Sequence, residues 1–263
     1  QSDQSGFQQG FATRIGSGQI AAERQAQAQR ARTLGMVLLR FEPDHTLKLR
    51  RAPDVQQACT HAWGPADGQP AVVALRERGR LMQLACDQTK GGMAAVIGGS
   101  REDIFKLCAA FDIDAANFNC PGQVVISGDA EKVAQAVARA KEFGAFKLVK
   151  PLVVAGAYHS RLMEPARQAF EAFLQGVEFK RPQVTVYSNT TGGTLAEPAD
   201  LRAALVKQVV SSVLWEDDCK AAADTGIAQF YECGPGGVLA GMMKRSAPAA
   251  PVASLHEFAD IPA

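Results

Sequence analysis

This sequence predicts an α/β fold with a compact unit inserted in it, and three observations carry that expectation. From residue 92 to residue 150 the chain reads β-α-β-β-α-β, the ferredoxin-like order. After Pro151 strands and helices alternate again, as they do in α/β proteins. The length of 263 residues suits one large domain with an inserted subdomain, and it can bury a sizeable core. Apolar residues make up 47% and charged residues 21%, an ordinary balance for a globular protein. A formal net charge of +1 gives no reason to expect a nucleic-acid or membrane partner. No apolar run reaches the roughly 18 residues that a membrane-spanning helix needs. No secretory leader is legible, and Gln1 in place of methionine suits a fragment or a trimmed product. Six cysteines are scattered without C-x-x-C spacing, which argues against a zinc site or a disulfide framework. They read as reduced thiols of a cytoplasmic protein.

Residues 1–70 carry little pattern. Residues 20–32 are rich in Ala, Gln and Arg, good helix formers, but have few large apolar residues for a buried face. Residues 36–41 suit a short strand, and residues 63–70 are a turn cluster. From residue 71 the signal sharpens. Val72, Leu75, Met82 and Cys86 alternate with Arg76, Glu77, Arg78 and Arg80, which predicts an amphipathic helix over 71–86. A short apolar run at 93–97 follows Gly91-Gly92 and reads as a buried strand. Ser100 and Asp103 form a capping-box start for a helix over 101–111. Residues 115–119 and 123–128 read as two strands of a hairpin turned by Pro121-Gly122. Asp129 caps a helix expected over 130–143, which Gly144 stops. Residues 146–149 form the last strand of the inserted unit.

The large part is expected to occupy 71–91 and 151–246. It should contain an extended segment at 152–155, a helix at 162–174 and a strand at 184–188 with a loop after it. Helices follow at 198–212 and 215–225, then a buried strand at 227–232 and a short helix at 238–245. The Pro- and Ala-rich stretch 247–263 reads as a loosely held tail.

His159 lies where an apolar run, Val153-Val154-Ala155, hands over through Gly156-Ala157-Tyr158 to a helix. Catalytic groups of α/β proteins often sit at such junctions. A histidine that merely caps the turn is the plain alternative.

Six ordered motifs weigh against that alternative. They are Glu77-Arg78-Gly79-Arg80-Leu81-Met82-Gln83; Gly92-Met93-Ala94-Ala95-Val96-Ile97-Gly98; the hairpin from Asn117-Phe118-Asn119-Cys120-Pro121-Gly122-Gln123 to Gly128; Gly156-Ala157-Tyr158-His159-Ser160-Arg161-Leu162-Met163; Val186-Tyr187-Ser188-Asn189; and Tyr231-Glu232-Cys233-Gly234-Pro235-Gly236-Gly237-Val238-Leu239. Together they resemble the malonyl-CoA:acyl-carrier-protein transacylase family over residues 72–245. The resemblance implies an α/β-hydrolase-like large subdomain, incomplete in this chain, with the ferredoxin-like unit inserted at 92–150. It implies transfer of malonyl from malonyl-CoA to the phosphopantetheine thiol of acyl carrier protein in fatty acid biosynthesis, with no metal and no bound cofactor. His159 then corresponds to the catalytic base and Arg78 to the arginine that binds the malonyl carboxylate. Asn119 and Gln123 correspond to substrate-binding residues on the site wall, where plain turn chemistry beside Pro121-Gly122 is the alternative. A backbone carbonyl around Glu232 to Gly234 is expected to hold the histidine. Tyr158 stands where the free-standing family usually has phenylalanine.

The family's nucleophile sits in G-H-S-x-G, and no serine of this chain stands in G-x-S-x-G. The family's early P-G-Q-G-x-Q loop is missing as well. Three readings follow. Residues 1–70 are a frameshifted or misjoined stretch on a normal transacylase; or the chain is an inactive or truncated member that still binds acyl carrier or coenzyme A; or Ser160, Ser188 or Cys120 has taken over as nucleophile. A polyketide-synthase-type acyltransferase is the enzymatic alternative. Without a matching N-terminal region, the strands near Leu152 and Ile227 are expected to lack neighbours.

Overall fold

The structure, a computed structural model, describes residues 36–38, 69–182, 184–233 and 236–256. The expectations for residues 20–32 and for the turn before residue 69 lie outside the described residues. Strand β1 (Met36–Leu38) precedes helix α1 (Gln69–Gln88), strand β2 (Gly91–Gly98), helix α2 (Arg101–Phe111) and strands β3 (Asp114–Cys120) and β4 (Gln123–Asp129). Helix α3 (Ala130–Arg139), strand β5 (Phe146–Pro151), helix α4 (Glu164–Leu174) and the short strands β6 (Val186–Ser188) and β7 (Gly193–Leu195) follow. Helices α5 (Pro198–Gln208) and α6 (Trp215–Ala223), strand β8 (Phe230–Cys233), helix α7 (Val238–Ser246) and strand β9 (Val252–Leu255) complete the order.

Strands β2 to β5 form one antiparallel sheet in the order β3-β4-β2-β5. Ala94, Val96, Val124 and Ile126 pack with Ile104, Leu107, Phe111, Val133 and Ala136 of α2 and α3. The alternation along β2 thus buries one sheet face under two helices. The Ser100–Asp103 capping box forms as its sequence predicts, with Ser100 accepting from the Asp103 amide and Asp103 from the Ser100 amide. Asp129 likewise caps α3 by accepting from the amides of Glu131 and Lys132. That helix ends four residues earlier than its pattern predicts and tightens into a 3₁₀ turn at Ala140–Glu142, a common way for a helix to end.

A second core joins α1, α4 and α5 through Met82, Ala85, Cys86, Tyr158, Met163, Phe170, Leu174 and Val206. Strand β8 is buried between two parallel neighbours, β1 and β9. This corrects two expectations. The strand near Ile227 has partners on both sides, and residues 252–255 of the expected loose tail pair with it. Residues 152–155, read from the sequence as a strand or extended segment, run outside the sheet. The Leu152 amide still bonds the Met93 carbonyl at 2.9 Å, but the chain then leaves the sheet and Val153 stands fully exposed.

Helix α5 stops at Gln208, short of the expected Ser212. Val209, Val210, Ser211, Ser212 and Val213 are weak helix formers. Val213 pairs instead with β3: its amide donates to the Ala116 carbonyl, and its carbonyl accepts from the Phe118 amide, both at 2.8 Å. Ser212 adds a bond from its hydroxyl to the Ala115 carbonyl at 2.6 Å. Arg101 closes the same seam, forking onto Asp217 of α6 while lying 4.6 Å above the Phe118 ring. Glu232, next to the end of β8, accepts from the amides of Leu239 and Ala240, which fills the N-terminus of α7 with a carboxylate of the protein itself.

Candidate active site

The turn that carries His159 is held by its neighbours. The Ser160 hydroxyl donates to the Ala157 carbonyl at 2.6 Å and accepts from the Leu162 amide at 3.3 Å. Between them His159 adopts a left-handed backbone with φ 56°, a region where non-glycine residues are uncommon. Its Nδ1 lies 2.9 Å from the Gln208 carbonyl. A carbonyl can only accept, so Nδ1 carries the proton and Nε2 keeps its lone pair. Gln208 is the last residue of α5, where helical carbonyls have no partner within the helix. The carbonyl that holds the imidazole is that of Gln208, whereas the stretch expected to supply it, Glu232 to Gly234, ends outside the described residues at Gly234. The early end of α5 is what makes the Gln208 carbonyl available.

Burial pulls His159 down to about 4, the positive charge of Arg78 pulls the same way, and the Gln208 carbonyl opposes both. The imidazole is neutral at physiological pH. Arg78 is half-buried in α1, and burial lowers its guanidinium to about 10, so it remains a cation at neutral pH. The structure thus brings Arg78 and His159 into electrostatic reach of one another across 81 residues of sequence (159 minus 78). Glu77 and Arg80 pair with each other on the exposed side of α1, which leaves Arg78 as the guanidinium directed inward.

Asn119 and Gln123 lie on the β3–β4 hairpin. Phe118 pairs with Val124 and Cys120 with Gln123, so Asn119 is the extra residue of a β-bulge, a device that re-aims a side chain. Gln123 is engaged with Arg245 of α7. Its Oε1 accepts from Arg245 Nη1 at 2.7 Å, and Arg245 Nη2 donates to the Pro121 carbonyl at 3.0 Å. Arg245 was not singled out in the sequence, where only a basic residue in a last helical turn is visible. The segment from Gln208 to Val213 connects the two halves, since one end holds His159 and the other pairs with β3.

The three alternative nucleophiles are engaged elsewhere. Ser160 locks the turn, and Ser188 Oγ bonds Thr190 Oγ1 at 2.8 Å. Cys120 is fully buried, and burial raises its thiol, which disfavours the reactive thiolate. The five described cysteines are all free.

Asp218 of α6 is buried. Its Oδ2 accepts from Asn189 Nδ2 at 2.5 Å, while its Oδ1 has no hydrogen-bond partner among the described residues. Burial raises the carboxyl from 3.8 to about 7; the Asn189 amide lowers it and the Asp217 charge raises it. A raised carboxyl binds its proton more tightly in the folded chain than in the unfolded one, so stability falls as pH rises through that window. Urea midpoints are expected to drop between about pH 4 and about pH 7, and Asp218→Asn is expected to flatten that drop. An unchanged slope in the variant would contradict this account.

Residues 56–256 match the acyl transferase domain family. The chain is 36% identical over 189 residues to the malonyl CoA-acyl carrier protein transacylase of Bacillus subtilis, covering 70% of this chain and 59% of that protein. It is 37% identical over 186 residues to the transacylase of the same name from Haemophilus influenzae, covering 69% and 59%. Its fold matches the acyl carrier protein S-malonyltransferase of Vibrio cholerae with a TM-score of 0.72 at 33% identity, over 77% of this chain and 66% of that one. A malonyl-transacylase solved in complex with a type II polyketide-synthase acyl-carrier protein also gives 0.72, at 32% identity over 78% and 67%. The chain spans about three fifths of the length of the Bacillus and Haemophilus relatives. A family match that covers the helix of Arg78, the turn of His159 and the strands that support both leaves one conclusion: the chain belongs to the acyl transferase domain family.

Proposed function

We propose that this chain acts in malonyl transfer from malonyl-CoA to the phosphopantetheine thiol of acyl carrier protein, in fatty acid biosynthesis in the cytoplasm. The observation that carries the reading is the cationic Arg78 set within electrostatic reach of a neutral His159. A guanidinium fork takes a carboxylate in bidentate fashion, which selects malonyl over acetyl. The family's Ser/His chemistry has His159 Nε2 take a proton from a serine hydroxyl as that oxygen bonds the malonyl thioester carbon; that serine is the one no G-x-S-x-G motif of this chain supplies. His159 then returns that proton to the leaving coenzyme A thiolate as the thioester C–S bond breaks. The same steps in reverse load the carrier thiol. Asn119 and Gln123 line the path of the acyl group, and Arg245 sets the Gln123 amide. In this reading the four-stranded unit is the ferredoxin-like subdomain, and the parallel strands β1, β8 and β9 belong to a hydrolase-like one. Malonyl-CoA enters as substrate, with no bound cofactor and no metal. The names of the relatives support the carrier and the acyl group alike.

A second reading, a member that binds coenzyme A or acyl carrier protein without turnover, is favoured by one observation: no serine stands in G-x-S-x-G. Incubation with radiolabelled malonyl-CoA separates the two. A hydroxylamine-labile malonyl-protein supports transfer, and saturable binding of malonyl-CoA without a covalent label supports the second reading. If the chain takes no label and binds neither malonyl-CoA nor acyl carrier protein, both are lost.

A further inference from the structure

The turn of His159 is tied to the four-stranded sheet by one carboxylate. Asp114 opens β3, where it pairs with Ser127 of β4. Its Oδ2 accepts from the backbone amide of Arg161, just past His159, at 3.0 Å. The Arg161 side chain folds back onto the same carboxylate. Nη2 donates to Oδ1 at 2.9 Å, and Nε lies 3.3 Å from Oδ1 and 3.2 Å from Oδ2. Arg161 Nη1 donates to Asp112 Oδ1 at 2.5 Å, and Lys132 of α3 donates to the other Asp112 oxygen at 2.6 Å. An exposed ion pair by itself contributes little. Here the carboxylate takes a backbone amide as well, so it fixes the chain and not only the end of a long side chain. Strand β3 meets the turn by a second route. Ala116 and Phe118 pair with Val213, and the segment before Val213 leads back to the Gln208 carbonyl behind the imidazole. Further along, the same strand carries Asn119.

We propose that Asp114 is a positioning residue: by holding the Arg161 amide and guanidinium it fixes the turn of His159 on β3, the strand that carries Asn119, and so sets the base against the site wall. This rests on the roles given to His159 and Asn119 above. Such a hold answers the strain in the turn. A left-handed histidine persists only where its surroundings over-determine it. The Gln208 carbonyl holds the ring, the Ser160 hydroxyl ties the turn to itself, and Asp114 holds the residue that follows. Asp114 and Arg161 lie 47 residues apart in the chain, so this third restraint exists only once the sheet and the turn have packed together.

The test is the NMR titration of the His159 ring in the full chain. Burial is the first cause that holds the imidazole near 4, and the charge of Arg78 on α1 is the next. A turn released from β3 opens the ring to water, so Asp114→Ala is expected to raise its midpoint toward the ordinary 6.5 by about half a pH unit or more. The sign separates this from a field effect, because a carboxylate acting only through space would lower a histidine midpoint when it is removed. Asp114→Asn keeps an acceptor oxygen for the Arg161 amide and is expected to rise much less. Lys132→Ala breaks the neighbouring pair with Asp112 without touching the turn and is expected to hold the wild-type midpoint. A midpoint unchanged or lowered in Asp114→Ala, or raised as far in Asp114→Asn or Lys132→Ala, overturns the proposal. If Asp114→Ala fails to fold, Arg161→Ala decides. It should speed solvent exchange of the Nδ1 proton that faces the Gln208 carbonyl by about threefold or more, and unchanged exchange overturns the proposal. The readout needs no turnover: a failed malonyl labelling leaves the hold on the turn standing, and a successful one does not rescue it.

Discussion

Replacing Arg78 with methionine is expected to remove the preference for malonyl-CoA over acetyl-CoA, at a cost of about 2–5 kcal/mol in malonyl binding. Calorimetric titration with the two thioesters measures it. Methionine keeps much of the apolar stem that packs in α1, so the loss reads the charge and not the packing. A second effect has a definite sign. Burial is the first cause that holds His159 near 4, and the Arg78 charge is the next. Without that charge the imidazole is expected to titrate higher, nearer its ordinary 6.5. A depressed histidine stabilises the fold above its ordinary value, and that contribution is lost as pH falls from 6.5 toward 4. Arg78→Met should therefore narrow the acid-sensitive window. Malonyl-CoA that binds the variant as it binds the wild type would remove Arg78 from the clamp.

Gly91→Val is expected to cost about 3 kcal/mol or more of stability, read as a fall in the thermal midpoint. The added Cβ would meet the Ala157 nitrogen at 2.3 Å, the Ala157 Cβ at 2.8 Å and the Gly156 carbonyl carbon at 3.0 Å. Two of those atoms are backbone and cannot swing aside as the end of a side chain can. The turn they belong to carries His159, so a variant that still folds should show a displaced imidazole resonance. A thermal midpoint equal to wild type would mean that this joint is looser than its geometry.

The four-stranded sheet and its two helices were legible in the sequence because their signals are local. The Ser100–Asp103 box, the Asp129 cap and the alternation along residues 93–97 act within a few residues, and each formed where its residues predict. The large part was less legible. Residues 209–213 continue the apolar pattern of α5, and the sequence reads as helix there. Their β-branched and serine content leaves them open to pairing, and the presence of β3 as a partner decided the outcome. The same holds for β9, a Pro- and Ala-rich stretch that looks loose until β8 is beside it.

For the site, the sequence by itself determined the candidates. Through the family resemblance, the motifs around Arg78, His159, Asn119 and Gln123 mark out the proposed base, carboxylate clamp and wall. Only the tertiary structure decided what those residues touch. It set the Gln208 carbonyl behind His159, the Arg245 guanidinium on Gln123 and the Arg78 charge beside the imidazole. Those partners lie 49, 122 and 81 residues away in the chain (81 being 159 minus 78), and no local pattern encodes a contact at that range. Coulomb and hydrogen-bond energies depend on distance in space, which packing fixes and sequence spacing does not.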